Sequence, residues 1–89
     1  MAKFAIITGG SSGIGRHLVS AFVRDGYDVA FTHLGQSDAA AEVEAEAAAL
    51  GGRAVGRECE VANSTAIEGF LDEVIAWAGQ TPDVLINNA

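Results

Sequence analysis

The chain has 89 residues, 49% of them hydrophobic, and its 12 acidic and 5 basic residues give a net charge of −7. That length suits one small domain, the apolar fraction excludes a disordered segment, and the acidic balance argues against binding nucleic acid or an anionic membrane through bulk electrostatics. The lone Cys59 excludes an internal disulfide and a cysteine metal site, no apolar run nears the roughly 20 residues that span a bilayer, and the first apolar run begins too early for a signal peptide, so a cytoplasmic location is expected.

Lys3 to Thr8 reads as a continuous apolar strand of the kind buried on both faces of a parallel sheet. Gly13 to Asp25 reads as a helix with Ile14, Leu18, Ala21, Phe22 and Asp25 on adjoining turns and Val19 and Val23 widening the stripe, stopped by Gly26. Asp28 to His33 is a second strand. Ser37 is the expected N-cap of an alanine-rich helix from Asp38 to Leu50, whose buried stripe is Ala40, Val43, Ala47 and Leu50, and Gly51-Gly52 ends it. Arg53 to Val61 contains a third, less hydrophobic strand, suited to a sheet edge. Asn63 or Ser64 caps a helix that runs to about Ala78, with Ile67, Phe70, Leu71, Val74 and Ala78 facing inward and Trp77 beside them as packing. Gly79 ends that helix, and Asp83 to Asn88 is the fourth strand.

Strand and helix alternate with no linker or internal repeat, and right-handed crossovers then predict an α/β Rossmann-type three-layer fold. Its parallel sheet has the order 3-2-1-4, the first half of a doubly wound sheet. The first two helices fall on one face and the third on the other. The connections diverge between strands 1 and 4, which opens a crevice at the strand C-terminal ends, where Thr8 and Asn87-Asn88-Ala89 both arrive.

Between the first strand and helix lies Thr8-Gly9-Gly10-Ser11-Ser12-Gly13-Ile14-Gly15. The first turn of a helix carries amides without partners and a partial positive charge, and a diphosphate satisfies both. Glycines let the backbone turn sharply and lie against such a ligand. The spacing is neither G-x-G-x-x-G nor a nucleotide-triphosphate loop, which needs a Gly-Lys-Ser/Thr ending. A glycine cluster can also be only a tight turn; the flanking strand and helix favour the phosphate site.

These residues resemble the N-terminal part of the short-chain dehydrogenase/reductase family. The family pattern T-G-x-x-x-G-x-G is matched at Thr8, Gly9, Gly13 and Gly15, and its strand-4 pattern N-N-A-G at Asn87, Asn88 and Ala89. The resemblance covers essentially all of residues 1–89, which it implies are the N-terminal part of an NAD(P)-binding domain, truncated after strand 4. It implies that Gly9, Gly13, Ile14 and Gly15 surround the cofactor diphosphate and that Ser11 and Ser12 line its adenosine side. Asn87 and Ala89 would lie against the adenine ribose, and Asn88 would fix the neighbouring turn. Glu60, before Val61, stands where the family usually has an aspartate that accepts from the adenine amino group; a solvated strand-end acid is the alternative reading.

Cofactor choice rests on the end of strand 2, where a carboxylate would bond a ribose 2′-hydroxyl and repel a 2′-phosphate. Thr32-His33-Leu34-Gly35 has no acid, which favours NADP over NAD, although Ser12 and Leu34 supply no basic partner. His33 could face the phosphate and would bind it better when protonated, although a lone histidine is more often just a strand-end residue. His17 and Cys59 read as surface and strand residues, so no metal site is expected.

The resemblance implies carbonyl/alcohol hydride transfer by a serine, a tyrosine and a lysine four residues after that tyrosine. None is matched: the one tyrosine, Tyr27, is followed four residues later by Phe31. No catalytic residue is therefore assigned in this chain. The expected function is the cofactor-holding segment of an NAD(P)-dependent oxidoreductase acting on a small carbonyl or alcohol substrate; the alternative is a dinucleotide-binding or sensor module without catalysis. An unpaired apolar strand 4 would leave the fragment marginally stable or self-associating, as a homo-oligomer.

Overall fold

In the computed structural model, which describes residues 2–89, strands and helices alternate along the chain. They are β1 (Lys3–Ile7), α1 (Gly13–Arg24), β2 (Tyr27–His33), α2 (Ser37–Ala49), β3 (Ala54–Glu58), α3 (Ser64–Ala78) and β4 (Val84–Ile86). The sheet is parallel with the order β3-β2-β1-β4, as the crossover argument requires.

Successive strand residues face opposite sides, so one apolar run serves two cores. Ala5, Ile7, Val29 and Phe31 pack under α1 and α2 with Val19, Val23, Val43 and Ala47. Phe4, Ile6, Ala30 and Val55 face α3 and meet Phe70, Val74 and Ala78. Trp77 packs at that second core, tilted against Phe4 with ring centroids 6.2 Å apart, and Arg53 stacks over its ring at 4.2 Å.

Four local readings are corrected. The buried line of α1 runs through Gly15, Val19 and Val23, while Ile14 is 73% exposed and Ala21 and Asp25 face out. At 3.6 residues per turn Ile14 lies about 100° round the helix from that line. Leu50 is the C-cap of α2, just past its last turn, and is exposed. The N-cap of α2 is Gln36 instead of Ser37, because the Gln36 carbonyl already accepts from Ala40 N–H at 2.9 Å. Finally, β4 is only three residues long. Before it, Asp83 exchanges two bonds with Phe4: Asp83 N–H donates to the Phe4 carbonyl at 2.7 Å, and Phe4 N–H donates to Asp83 Oδ2 at 2.8 Å. After it, the Asn88 and Ala89 amides turn to a side chain, so the ladder stops at Ile86.

Candidate functional site

The two chain ends predicted to meet do so around Thr8. Its buried hydroxyl oxygen accepts from Asn88 N–H at 2.8 Å and Ala89 N–H at 3.0 Å, and the hydroxyl lies 3.2 Å from Asn87 Oδ1. Asn88 Nδ2 also donates to the Gly9 carbonyl at 3.2 Å. One threonine thereby locks the turn after β1 to the segment after β4.

The three glycines of the motif do different work. Gly13 has φ +57° with open space where a side chain would sit, so its requirement is conformational. Gly15 is a matter of close approach: a Cβ there would stand 1.9 Å from the Gly9 carbonyl oxygen. Gly9 also has positive φ, but its amide is already used, donating to Thr32 Oγ1 at 3.0 Å. Gly9 therefore lines the adjoining cavity as a wall, with its amide held by Thr32.

The amides that remain are those of Gly13, Ile14 and Gly15. Among the described residues none of the three has an acceptor, since the first helical bond is Arg16 N–H to the Ser12 carbonyl. Ser12 is the N-cap, yet its side chain makes no capping bond, and the first turn of α1 has no acidic residue. By contrast α3 is capped, with Asn63 Oδ1 accepting from Ala66 N–H at 3.0 Å. The positive end of α1 is left open to an external anion.

Beside that helix end is a cavity of about 370 Å³ lined by Gly9, Ser11, Ser12, Thr32, His33, Glu60, Val61 and Ala89. Eight of the twelve residues singled out in the sequence thus share one wall system. Gly13, Ile14 and Gly15 form the adjoining helix end. Asn87 lines a separate space of about 220 Å³ with Ile67, Phe70 and Leu85, on the α3 side of the sheet.

Three further residues, outside those twelve, line the cavity: Leu34, Gln36 and Cys59. Cys59 ends β3's inward alternation, and burial, then the neighbouring Glu60 charge, pushes its thiol pKa up. Glu60 is exposed, its Oε1 accepting from Ala62 N–H at 3.3 Å. Gln36 side-chain Oε1 accepts the hydroxyl of Ser11, a residue only 1% exposed. Their one signal in the sequence is position: each is within three residues of one already singled out.

His33 is buried, and its Nδ1 accepts from Gln36 N–H at 3.2 Å. That bond needs a free lone pair on Nδ1, which a protonated ring lacks. Arg16 points away from the cavity to Glu42 and Glu46 on α2. His17 lies in a groove between α1 and α2, and no cluster among the described residues could hold a metal ion. Tyr27 packs edge-on against Phe22, with ring centroids 4.9 Å apart, remote from this cavity. No helix among the described residues is long and apolar enough to cross a membrane.

Comparison with known proteins agrees with this geometry. The chain is 36% identical over 89 residues to the 3-oxoacyl-[acyl-carrier-protein] reductase FabG of Staphylococcus epidermidis, matching all of this chain and 36% of that protein. A short-chain dehydrogenase/reductase of Serratia marcescens superposes with a TM-score of 0.92 at 31% identity, over 98% of this chain and 35% of that one. A blue fluorescent protein from a metagenomic library, solved in complex with NADPH, superposes with a TM-score of 0.90 at 36% identity, over 98% of this chain and 36% of that one. The chain thus spans about a third of the length of these relatives. The short-chain dehydrogenase family model matches residues 3–89, and with the glycine turn, the Asn87-Asn88-Ala89 end and the sheet order in agreement, the chain belongs to that family.

Proposed function

We propose that residues 1–89 are the dinucleotide-holding segment of an NAD(P)-dependent oxidoreductase that interconverts a carbonyl and an alcohol. The observation that carries the reading is the open end of α1: three partnerless amides and an uncapped helix terminus beside a cavity of about 370 Å³. Family membership and a relative solved with NADPH support it. The absence of an acid at the end of β2 favours NADP over NAD.

The residues fit the cofactor. The bound nicotinamide supplies the hydride. The chain's part is to hold and orient: the Gly13, Ile14 and Gly15 amides and the helix dipole take the diphosphate charge. Glu60 offers an acceptor to the adenine amino group, with Val61 and Ala89 as cavity walls. Thr8 and Asn88 keep the two walls in register. The proton of the reaction has no donor here, since Tyr27 is stacked away from the site.

A Ser12→Asp variant tests this. Aspartate is a good N-cap, so the fold should be as stable as the native chain or more so. Its carboxylate would nevertheless occupy the helix end and repel a diphosphate. Calorimetric titration should show dinucleotide binding by the native chain and at least about tenfold weaker binding by the variant. Equal affinities, or no dinucleotide binding by the native chain, would overturn the reading.

A further inference from the structure

We propose that Glu44 and Arg57 close the outer edge of β3, and that the partner they shut out is the β3 edge of a second copy of this chain. β3 borders the sheet and has β2 on one side only. Its ladder to β2 runs from the Arg53 carbonyl, which accepts from Val29 N–H, to Cys59 N–H, which donates to the His33 carbonyl. Odd-numbered residues therefore face β2, and Gly56, at the middle of the strand, turns its N–H and its carbonyl outward. An open edge of this kind is a template for another strand.

Both outward groups of Gly56 are taken by side chains. Its N–H donates to Glu44 Oε2 at 2.8 Å, and its carbonyl accepts from Arg57 Nη1 at 2.9 Å. Glu44 comes from α2, whose buried residues pack on one face of the sheet. Arg57 is held by Glu73 of α3, which covers the other face. The two helices thus act on the edge from opposite sides and meet at one residue. Each of the two bonds to Gly56 has a charged partner, so it is stronger than the neutral ladder bond that would replace it. Gly56 can carry no shield of its own, because a Cβ there would stand 2.5 Å from the Phe31 ring.

The strand itself would suit its own copy. An antiparallel pair centred on Gly56 sets Val55 against Arg57 and Ala54 against Glu58, with no like charges opposite one another. The central residues of such a pair exchange both of their N–H···O bonds, and those are the groups that Glu44 and Arg57 occupy. With β4 at the far border of the sheet, a second open edge would let copies add end to end without closing.

Sedimentation of variants made in Leu85→Lys, which removes the apolar residue at the β4 edge, tests this, with folding checked by circular dichroism. Neither Glu44 nor Arg57 is buried, so both can be replaced without opening a core. Glu44→Ala combined with Arg57→Ala should associate at a concentration at least about tenfold below that of the Leu85→Lys parent. Its Gly56 amide should exchange faster than the parent's when dilute and more slowly when associated. Glu44→Ala alone should move part-way. Glu44→Gln loses the charge but keeps an oxygen for the Gly56 N–H, and should match the parent. A double variant that associates no more readily than its parent overturns the proposal. So does Glu44→Gln associating as readily as Glu44→Ala, which would make the effect one of charge and not of occupied backbone groups.

Discussion

Gly15 and Gly69 show how differently two helical glycines can be constrained. At Gly15 a methyl group would collide with the Gly9 carbonyl and with Asn88 Nδ2, whereas at Gly69, within α3, nothing lies within 4 Å. Gly15→Ala is expected to cost about 3 kcal/mol by forcing the turn and helix apart. Gly69→Ala should gain about 0.5–1 kcal/mol by removing unfolded-state freedom. Urea unfolding of both variants measures this, and similar effects at the two positions would contradict the packing account. The importance of Gly15 was legible from its spacing to Gly9 and Gly13, since few backbones need three glycines there. The work of Thr8 and Thr32 was not: pattern places Thr8 at the turn but does not reveal that its oxygen ends β4, or that Thr32 takes the Gly9 amide. Gln36 offered only its nearness to His33, because its side-chain bond to Ser11 joins positions 25 residues apart.

Among the elements, α1 and α2 are tied across their outer faces by Arg16, whose Nη2 lies 3.2 Å from Glu42 and 2.5 Å from Glu46. The hydrogen bond from Arg16 holds the Glu46 pKa below the ordinary carboxylate range, and the same bonds raise that of Arg16. A carboxylate depressed in the folded state contributes stability that is present above its unfolded pKa. That contribution is lost as pH falls through the lower folded value. Acidification should therefore lower the urea midpoint through this window, with part of the drop missing in Arg16→Met; an identical acid profile in that variant would show the clamp contributes nothing. The effect should be small and weaken with salt, because these groups are solvated. The elements themselves were readable because short apolar runs give way to stripes with a period near four at the helix starts. Their ends were less so. Ile14 looked like a buried residue because it sits within one turn of the stripe, and β4 looked longer because no glycine or proline separates its apolar run from Asn87 and Asn88, whose segment is governed by Thr8.

At the scale of the whole molecule, β3 and β4 are the sheet edges, and they are not equally protected. On β3, Arg57 is paired with Glu73 and Glu58 is charged, features that discourage strand addition. On β4, Leu85 is 64% exposed next to the apolar space lined by Ile67, Phe70 and Leu71. Sedimentation of the chain should depend on concentration, and Leu85→Lys should shift it toward monomer; a native chain that stays monomeric at high concentration would contradict this. The strand order was derivable because right-handed crossovers leave few arrangements, and the two-sided burial of β1 agrees with it. What the whole molecule arranges is one corner, where the ends of β1, β2, β3 and β4 meet the open terminus of α1. The most direct test is an amide-shift titration of the isotope-labelled chain with NADP⁺. The account predicts that the largest shifts fall on Ser12, Gly13, Ile14 and Gly15, with further shifts at Gln36, Glu60 and Val61. Shifts gathered instead in the groove between α1 and α2, around His17, Ser20 and Ala49, or no shifts at all, would contradict it.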